Sequence, residues 1–107
     1  CTFIVPAVFH RNDLLVAVST GGKSPALARR LRENMEERYG PEYGPLLDIM
    51  GDLRERILAR GGTSTENREL FESLLDSDIL RYIREEKWDR VREIVRDLTG
   101  EDVSLER

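Results

Sequence analysis

Residues 14–32 restrict the fold more than any other stretch of the chain. Leu14-Leu15-Val16-Ala17-Val18 is a short, partly β-branched apolar run, followed by Ser19-Thr20-Gly21-Gly22-Lys23-Ser24 and then Pro25-Ala26-Leu27-Ala28-Arg29-Arg30-Leu31-Arg32. The pattern predicts a buried strand, a tight glycine loop and a helix. Ser24 suits the N-cap, and Pro25 suits the first helical position, where a missing N–H costs nothing. Gly21 and Gly22 let the backbone turn sharply and come close to a ligand. The hydroxyls of Ser19 and Thr20, the free amides of the helix start and Lys23 then converge on one place, which suits an anion. The same residues also suit a strand-to-helix turn with no ligand, and local geometry leaves both readings open.

Charge sharpens the choice. The net charge is −4, which argues against general nucleic-acid binding. Residues 23–38 nevertheless carry five basic groups (Lys23, Arg29, Arg30, Arg32, Arg38) against three acidic ones (Glu33, Glu36, Glu37), whereas residues 39–107 carry 11 against 17. Positive potential therefore gathers beside the glycine loop, although a solvated helix face with mixed salt pairs would look similar. No apolar run is long enough to span a membrane, and no signal-peptide pattern is visible. The single cysteine, Cys1, allows neither an internal disulfide nor a zinc spacing, so a cytoplasmic protein is the simplest expectation.

Upstream of the loop, residues 2–9 read as a first strand. Phe3, Val5, Ala7 and Phe9 point to one face and Ile4, Pro6 and Val8 to the other. Pro6 places this strand at an edge or a bulge. His10-Arg11-Asn12-Asp13 reads as the turn. A lone hairpin that is apolar on both faces is marginal in water. It calls for more sheet from a missing domain, from a second copy of the chain, or from both. The chain also opens at Cys1 inside strand-like sequence without an initiator methionine, as a piece of a longer protein would.

Downstream, the first helix is expected over about residues 25–39, with Leu27, Leu31 and Met35 as its core stripe. Gly40-Pro41 ends it. A second helix over 42–60 repeats Tyr43, Leu46, Leu47, Met50, Leu53 and Ile57, and Gly61-Gly62 stops it. Thr63 and Glu66 open a third as a capping box, with Leu70, Phe71, Leu74 and Leu75 on its apolar face. Asp76-Ser77-Asp78 breaks the chain before a short helix with Ile79, Leu80, Tyr82 and Ile83. The last helix, near 88–98, buries Trp88, Val91, Val95 and Leu98, and residues beyond Gly100 fray. The fold class is therefore α+β: a β-hairpin and helix segment over residues 1–40, then a small all-α subdomain over 41–107. The aliphatic character of these stripes follows from an aromatic content of 7%.

Motif tests exclude several chemistries. Gly22-Lys23-Ser24 imitates the end of a P-loop, but that motif needs a glycine where Ala17 stands. His10, the only histidine, falls in the expected turn with Asp13 as its one close carboxylate, so it reads as a solvent-exposed turn residue rather than a base or metal ligand. Glu36-Glu37 and Glu85-Glu86 are helical neighbours that point apart. No catalytic residue and no metal ligand is assigned.

Phe3-Ile4-Val5-Pro6-Ala7 together with residues 14–32 closely resembles the middle segment of the siroheme synthase family. Residues 41–100 resemble the helical subdomain that follows there, chiefly through periodicity and the Leu53-Arg54 and Arg68-Glu69-Leu70-Phe71 stretches. The resemblance implies a parent enzyme that oxidises precorrin-2 to sirohydrochlorin with NAD bound to an N-terminal Rossmann domain. In bifunctional members ferrous iron is then inserted as substrate. It also implies an intertwined homodimer whose middle segment helps wall the tetrapyrrole cleft. The family's dinucleotide loop and its proposed catalytic aspartate fall upstream of the position matching Cys1, so no NAD site is expected within this chain. Precorrin-2 is a polycarboxylate, and a glycine loop with free amides, hydroxyls and cations can bind carboxylates. Ser19, Thr20, Gly21, Gly22 and Lys23 are accordingly expected to line the cleft, with Arg29 and Arg30 as weaker candidates. The alternative is a free-standing anion-binding or protein-interaction module built from the same elements.

Overall fold

The structure, a computed structural model, describes residues 5–103. The chain divides into two compact units, Cys1–Gly44 and Pro45–Arg107.

In the first unit, β1 (Ala7–Arg11) and β2 (Leu14–Val18) form an antiparallel pair, with Ala7 opposite Val18, Phe9 opposite Val16 and Arg11 opposite Leu14. Asn12 and Asp13 alone make the turn, and Asn12 takes a left-handed φ of +55°, which asparagine tolerates. The expected first strand is therefore displaced. It begins at Ala7 and runs through His10 and Arg11, which had been expected in the turn, because a two-residue turn leaves both for the ladder. Pro6 precedes the strand, where no ladder N–H is required. Residues 2–4 of the expected strand lie outside the described residues.

α1 (Pro25–Arg38) packs on both strands. The paired register puts Phe9, Arg11, Leu14 and Val16 on one face of the hairpin and Val8, His10, Leu15 and Ala17 on the other. Phe9 is buried, whereas Val8 and Leu15 are exposed. The helix departs from the expected stripe. Its more buried row is Ser24, Ala28, Arg32 and Glu36, with Ala28 fully inside, while Leu27, Leu31 and Met35 are 48%, 37% and 37% exposed. A two-stranded hairpin is narrow enough to cover only one row, and the small Ala28 side chain permits close approach. Arg11 fixes the far end of the contact. Its Nε donates to the Tyr39 carbonyl at 3.0 Å and its Nη2 to the Glu36 carbonyl at 2.9 Å, which satisfies orphan carbonyls of the last helical turn. The guanidinium also stacks over the Phe9 ring at 5.2 Å. Gly44 is buried beside the hairpin turn, where a Cβ would lie 2.8 Å from the Asn12 side chain.

The second unit is helical. α2 (Tyr43–Arg60) starts at the end of the first unit and supplies Leu46, Ile49, Leu53 and Ile57 to the core. Ile49 was missed by the expected period, while Leu47 and Met50 are only half-buried. α3 (Ser64–Asp76) is capped as expected: Thr63 Oγ1 accepts the Glu66 N–H at 3.1 Å. α4 (Ile79–Arg84) buries Ile79 and Ile83, and α5 (Trp88–Thr99) buries Val91, Val95 and Thr99. α3, α4 and α5 pack on one another. Leu98, expected inside, is exposed, and Thr99 replaces it because its Oγ1 donates to the Val95 carbonyl at 2.6 Å. Of residues 101–107, expected to fray, 101–103 are held, and 104–107 lie outside the described residues. Arg60 donates to the Thr99 carbonyl and to Glu101, Arg96 grips Asp102 with two nitrogens, and Val103 is buried.

Candidate functional site

The loop between β2 and α1 contains the residues proposed from sequence, and its backbone explains their types. Gly21 and Gly22 have φ of +68° and +80°, consecutive left-handed positions that a side chain would strain. The loop closes on itself through Thr20. Its Oγ1 accepts the Ser24 N–H at 3.0 Å and donates to the Ser24 carbonyl at 3.2 Å, while the Thr20 carbonyl accepts the Lys23 N–H at 3.3 Å. Ser19 Oγ accepts the Gly21 N–H at 3.2 Å, and Ser24 Oγ caps α1 by accepting the Leu27 N–H at 3.1 Å.

Chemically the five residues divide. Thr20 is half-buried and spends its hydroxyl inside the loop, so it shapes the site. Ser19, Gly21, Gly22 and Lys23 are exposed. Ser19 accepts within the loop but keeps its O–H as a donor. Lys23, Arg29 and Arg30 form no ion pair with the described residues, unlike Arg32, which pairs with Glu33 and Glu36. Lys23 thus stands in a loop with an open face, just before a fourteen-residue helix that carries Arg29 and Arg30 in its second turn. A Cβ at Gly21 would meet nothing within 4 Å, so that side of the loop is open to a large ligand.

Other sites are excluded among the described residues. No group of three His, Cys, Asp or Glu side chains could hold a metal, and His10 is an exposed strand residue opposite Leu15. The glycine loop does not suit a dinucleotide. The strand entering it pairs antiparallel with β1, whereas a dinucleotide fold places parallel strands on either side of its crossover helix. Among the described residues no helix is long and apolar enough to cross a membrane.

These features define a class: an α+β chain that joins a hairpin with a cation-flanked glycine loop to a separate helical unit. Comparison with known proteins places it further. The family model described as the sirohaem biosynthesis protein central region matches residues 11–38, and that of the sirohaem synthase dimerisation region matches residues 42–98. The chain belongs to the siroheme synthase family. It is 34% identical over 110 residues to a siroheme synthase of Mannheimia succiniciproducens, an alignment covering 98% of this chain and 23% of the relative. It is 43% identical over 79 residues to siroheme synthase 3 of Aeromonas hydrophila, covering 74% of this chain and 17% of the relative. The chain thus spans about a fifth of the length of such relatives. Its fold is shared by a solved structure titled SirC, precorrin-2 dehydrogenase, with a TM-score of 0.71 and 24% identity over 94% of this chain and 48% of that one.

Proposed function

We propose that this chain is the dimerisation and tetrapyrrole-cleft portion of a siroheme-biosynthesis enzyme that oxidises precorrin-2 to sirohydrochlorin with NAD, ferrous iron being a further substrate in bifunctional members. The observation that carries the cleft assignment is the open glycine loop with three cations that form no ion pair among the described residues. NAD supplies a hydride acceptor when bound to the parent enzyme, and the residues described here do not fit it. Their part is to orient the substrate. The Lys23 ammonium and the Ser19 hydroxyl donate to peripheral carboxylates of the macrocycle, Gly21 and Gly22 let it approach the backbone, and Thr20 holds the loop in shape. Lys23→Ala is expected to weaken sirohydrochlorin binding by about 1–2 kcal/mol, the lower range for a charged hydrogen bond at an exposed site. Fluorescence titration of the parent enzyme at low salt checks this, and an unchanged Kd would remove the loop from the cleft.

The two units are proposed as the dimerising hairpin segment and the helical subdomain, and the chain as a homodimer. Val8 and Leu15 leave the outer face of the hairpin apolar and exposed, and a two-stranded sheet has two unpaired edges. A two-fold partner presenting the same surface covers both. Leu15→Glu is therefore expected to yield a folded monomer. Val16→Glu should unfold the segment instead, because Val16 faces the same side as buried Phe9. Sedimentation equilibrium with circular dichroism distinguishes the two outcomes.

A further inference from the structure

His10 stands within the apolar surface that the hairpin leaves open. The outer face carries Val8 and His10 on β1 and Leu15 and Ala17 on β2, and all four are exposed. Val8 pairs with Ala17, and His10 pairs with Leu15. The two large apolar side chains, Val8 and Leu15, are therefore diagonal corners of one patch, and His10 adjoins both. Directly opposed side chains on one face of such a pair lie only about 5 Å apart at Cβ. A surface that covers Val8 and Leu15 therefore covers His10 as well.

The ring has no carboxylate to take under that cover. His10 forms no ion pair with the described residues. Arg11, whose Nη1 donates to the His10 carbonyl at 3.4 Å, is itself a cation, and its guanidinium stacks over Phe9 on the inner face. On β2 the neighbours Leu15 and Ala17 are uncharged. Asp13, in the turn, is exposed and forms no ion pair with the described residues. α1, with Arg32 and Glu36 in its buried row, lies against the opposite face, where Arg11 bonds to its last turn. Histidine changes charge between about pH 5 and 8, and His10 is the only histidine of the chain. Apolar surface can cover a neutral imidazole at modest cost, whereas an imidazolium covered without a carboxylate loses its hydration uncompensated.

We propose that His10 makes self-association of this chain sensitive to protons: the outer face of the hairpin joins a second copy while His10 is neutral and releases it when His10 is protonated. This rests on the homodimer reading above, and what His10 adds to that contact is its control. A two-fold contact applies the effect twice, since the partner's His10 is covered in the same way. Association is full above the ordinary histidine range and weakens as pH falls through it, because the separated chains bind protons that the dimer excludes.

Sedimentation equilibrium at about pH 7.5 and about pH 5.5, at one ionic strength, tests this. The dissociation constant of the unaltered chain should rise at least about tenfold at the lower pH. His10→Gln, which stays neutral, should keep the higher-pH value at both, with circular dichroism confirming that both chains remain folded. A dimer equally tight at both pH values, or a weakening that persists in His10→Gln, overturns the inference and leaves the homodimer standing. Tighter association at the lower pH overturns it too, because the ring would then meet a carboxylate in the dimer. If the unaltered chain is a monomer at the higher pH, the homodimer reading fails and the inference fails with it.

Discussion

Leu74→Ala is expected to destabilise the helical unit by about 2–5 kcal/mol, whereas Leu75→Ala, one residue on, should stay within about 0.5 kcal/mol. Both leucines lie on α3, and both belong to the apolar face that periodicity defines. The structure separates them: Leu74 is 0% exposed and Leu75 is 53% exposed. Leu74 is also the one buried residue of α3, the helix that packs on both α4 and α5. Truncating it removes the transfer free energy of three carbons and leaves a cavity in the core where α3 packs on α4 and α5. Small domains have only about 5–15 kcal/mol of stability to lose, so the variant approaches the folding limit. Urea unfolding followed by circular dichroism measures the difference. Equal midpoints for the two variants would show that α3 does not anchor the core through Leu74.

Arg11→Ala is the second large effect. Arg11 makes two hydrogen bonds to carbonyls at the end of α1 and stacks on Phe9. Hydrogen bonds from a charged donor contribute about 1.5–3 kcal/mol each when buried, and the half-buried setting here reduces that, so a loss of about 2–4 kcal/mol is expected for the set. Arg11→Lys should recover only part of it, because an ammonium lacks the planar fork that reaches two carbonyls at once. Amide hydrogen exchange is the sharper readout. In Arg11→Ala the last turn of α1, around residues 36–39, should lose protection while the middle of α2 keeps it. Uniform loss across the chain would mean that Arg11 supports the whole fold rather than the hairpin–helix joint. Sequence reading put Arg11 in a turn, where such a role could not be suspected.

The two leucines and Arg11 illustrate how far the amino-acid sequence reached. Local chemistry was legible. The strand, glycine loop and helix over residues 14–38 follow from β-branched residues, two glycines at left-handed φ, a serine cap and a proline at the first helical position. So do the Thr63 cap of α3 and the left-handed Gly100 that ends α5. Each depends on a residue and its near neighbours in the chain, and the α+β class follows from their order. The conformation of the loop was legible too, because two glycines before a serine cap and a proline call for a left-handed turn into a helix.

What periodicity could not supply is which side of each helix faces inward. Leu27, Leu31 and Met35 satisfy a core pattern yet lie exposed, since the hairpin is narrow and meets the adjacent row at Ala28. Leu98 satisfies the pattern of α5, but Thr99 takes the buried place by bonding back to its own helix. The extra length of β1 depended on a turn of two residues rather than four. The division of labour within the loop, with Thr20 turned inward and Lys23 outward, appears only once the Ser24 amide and carbonyl are seen to occupy the threonine hydroxyl. The sequence alone determined the order of hairpin, glycine loop and helices and most of the helix ends, because those choices are made by local sterics and hydrogen bonding. Only the tertiary structure decided which apolar rows are buried and which remain exposed, because burial depends on the width and shape of the surface that each helix meets.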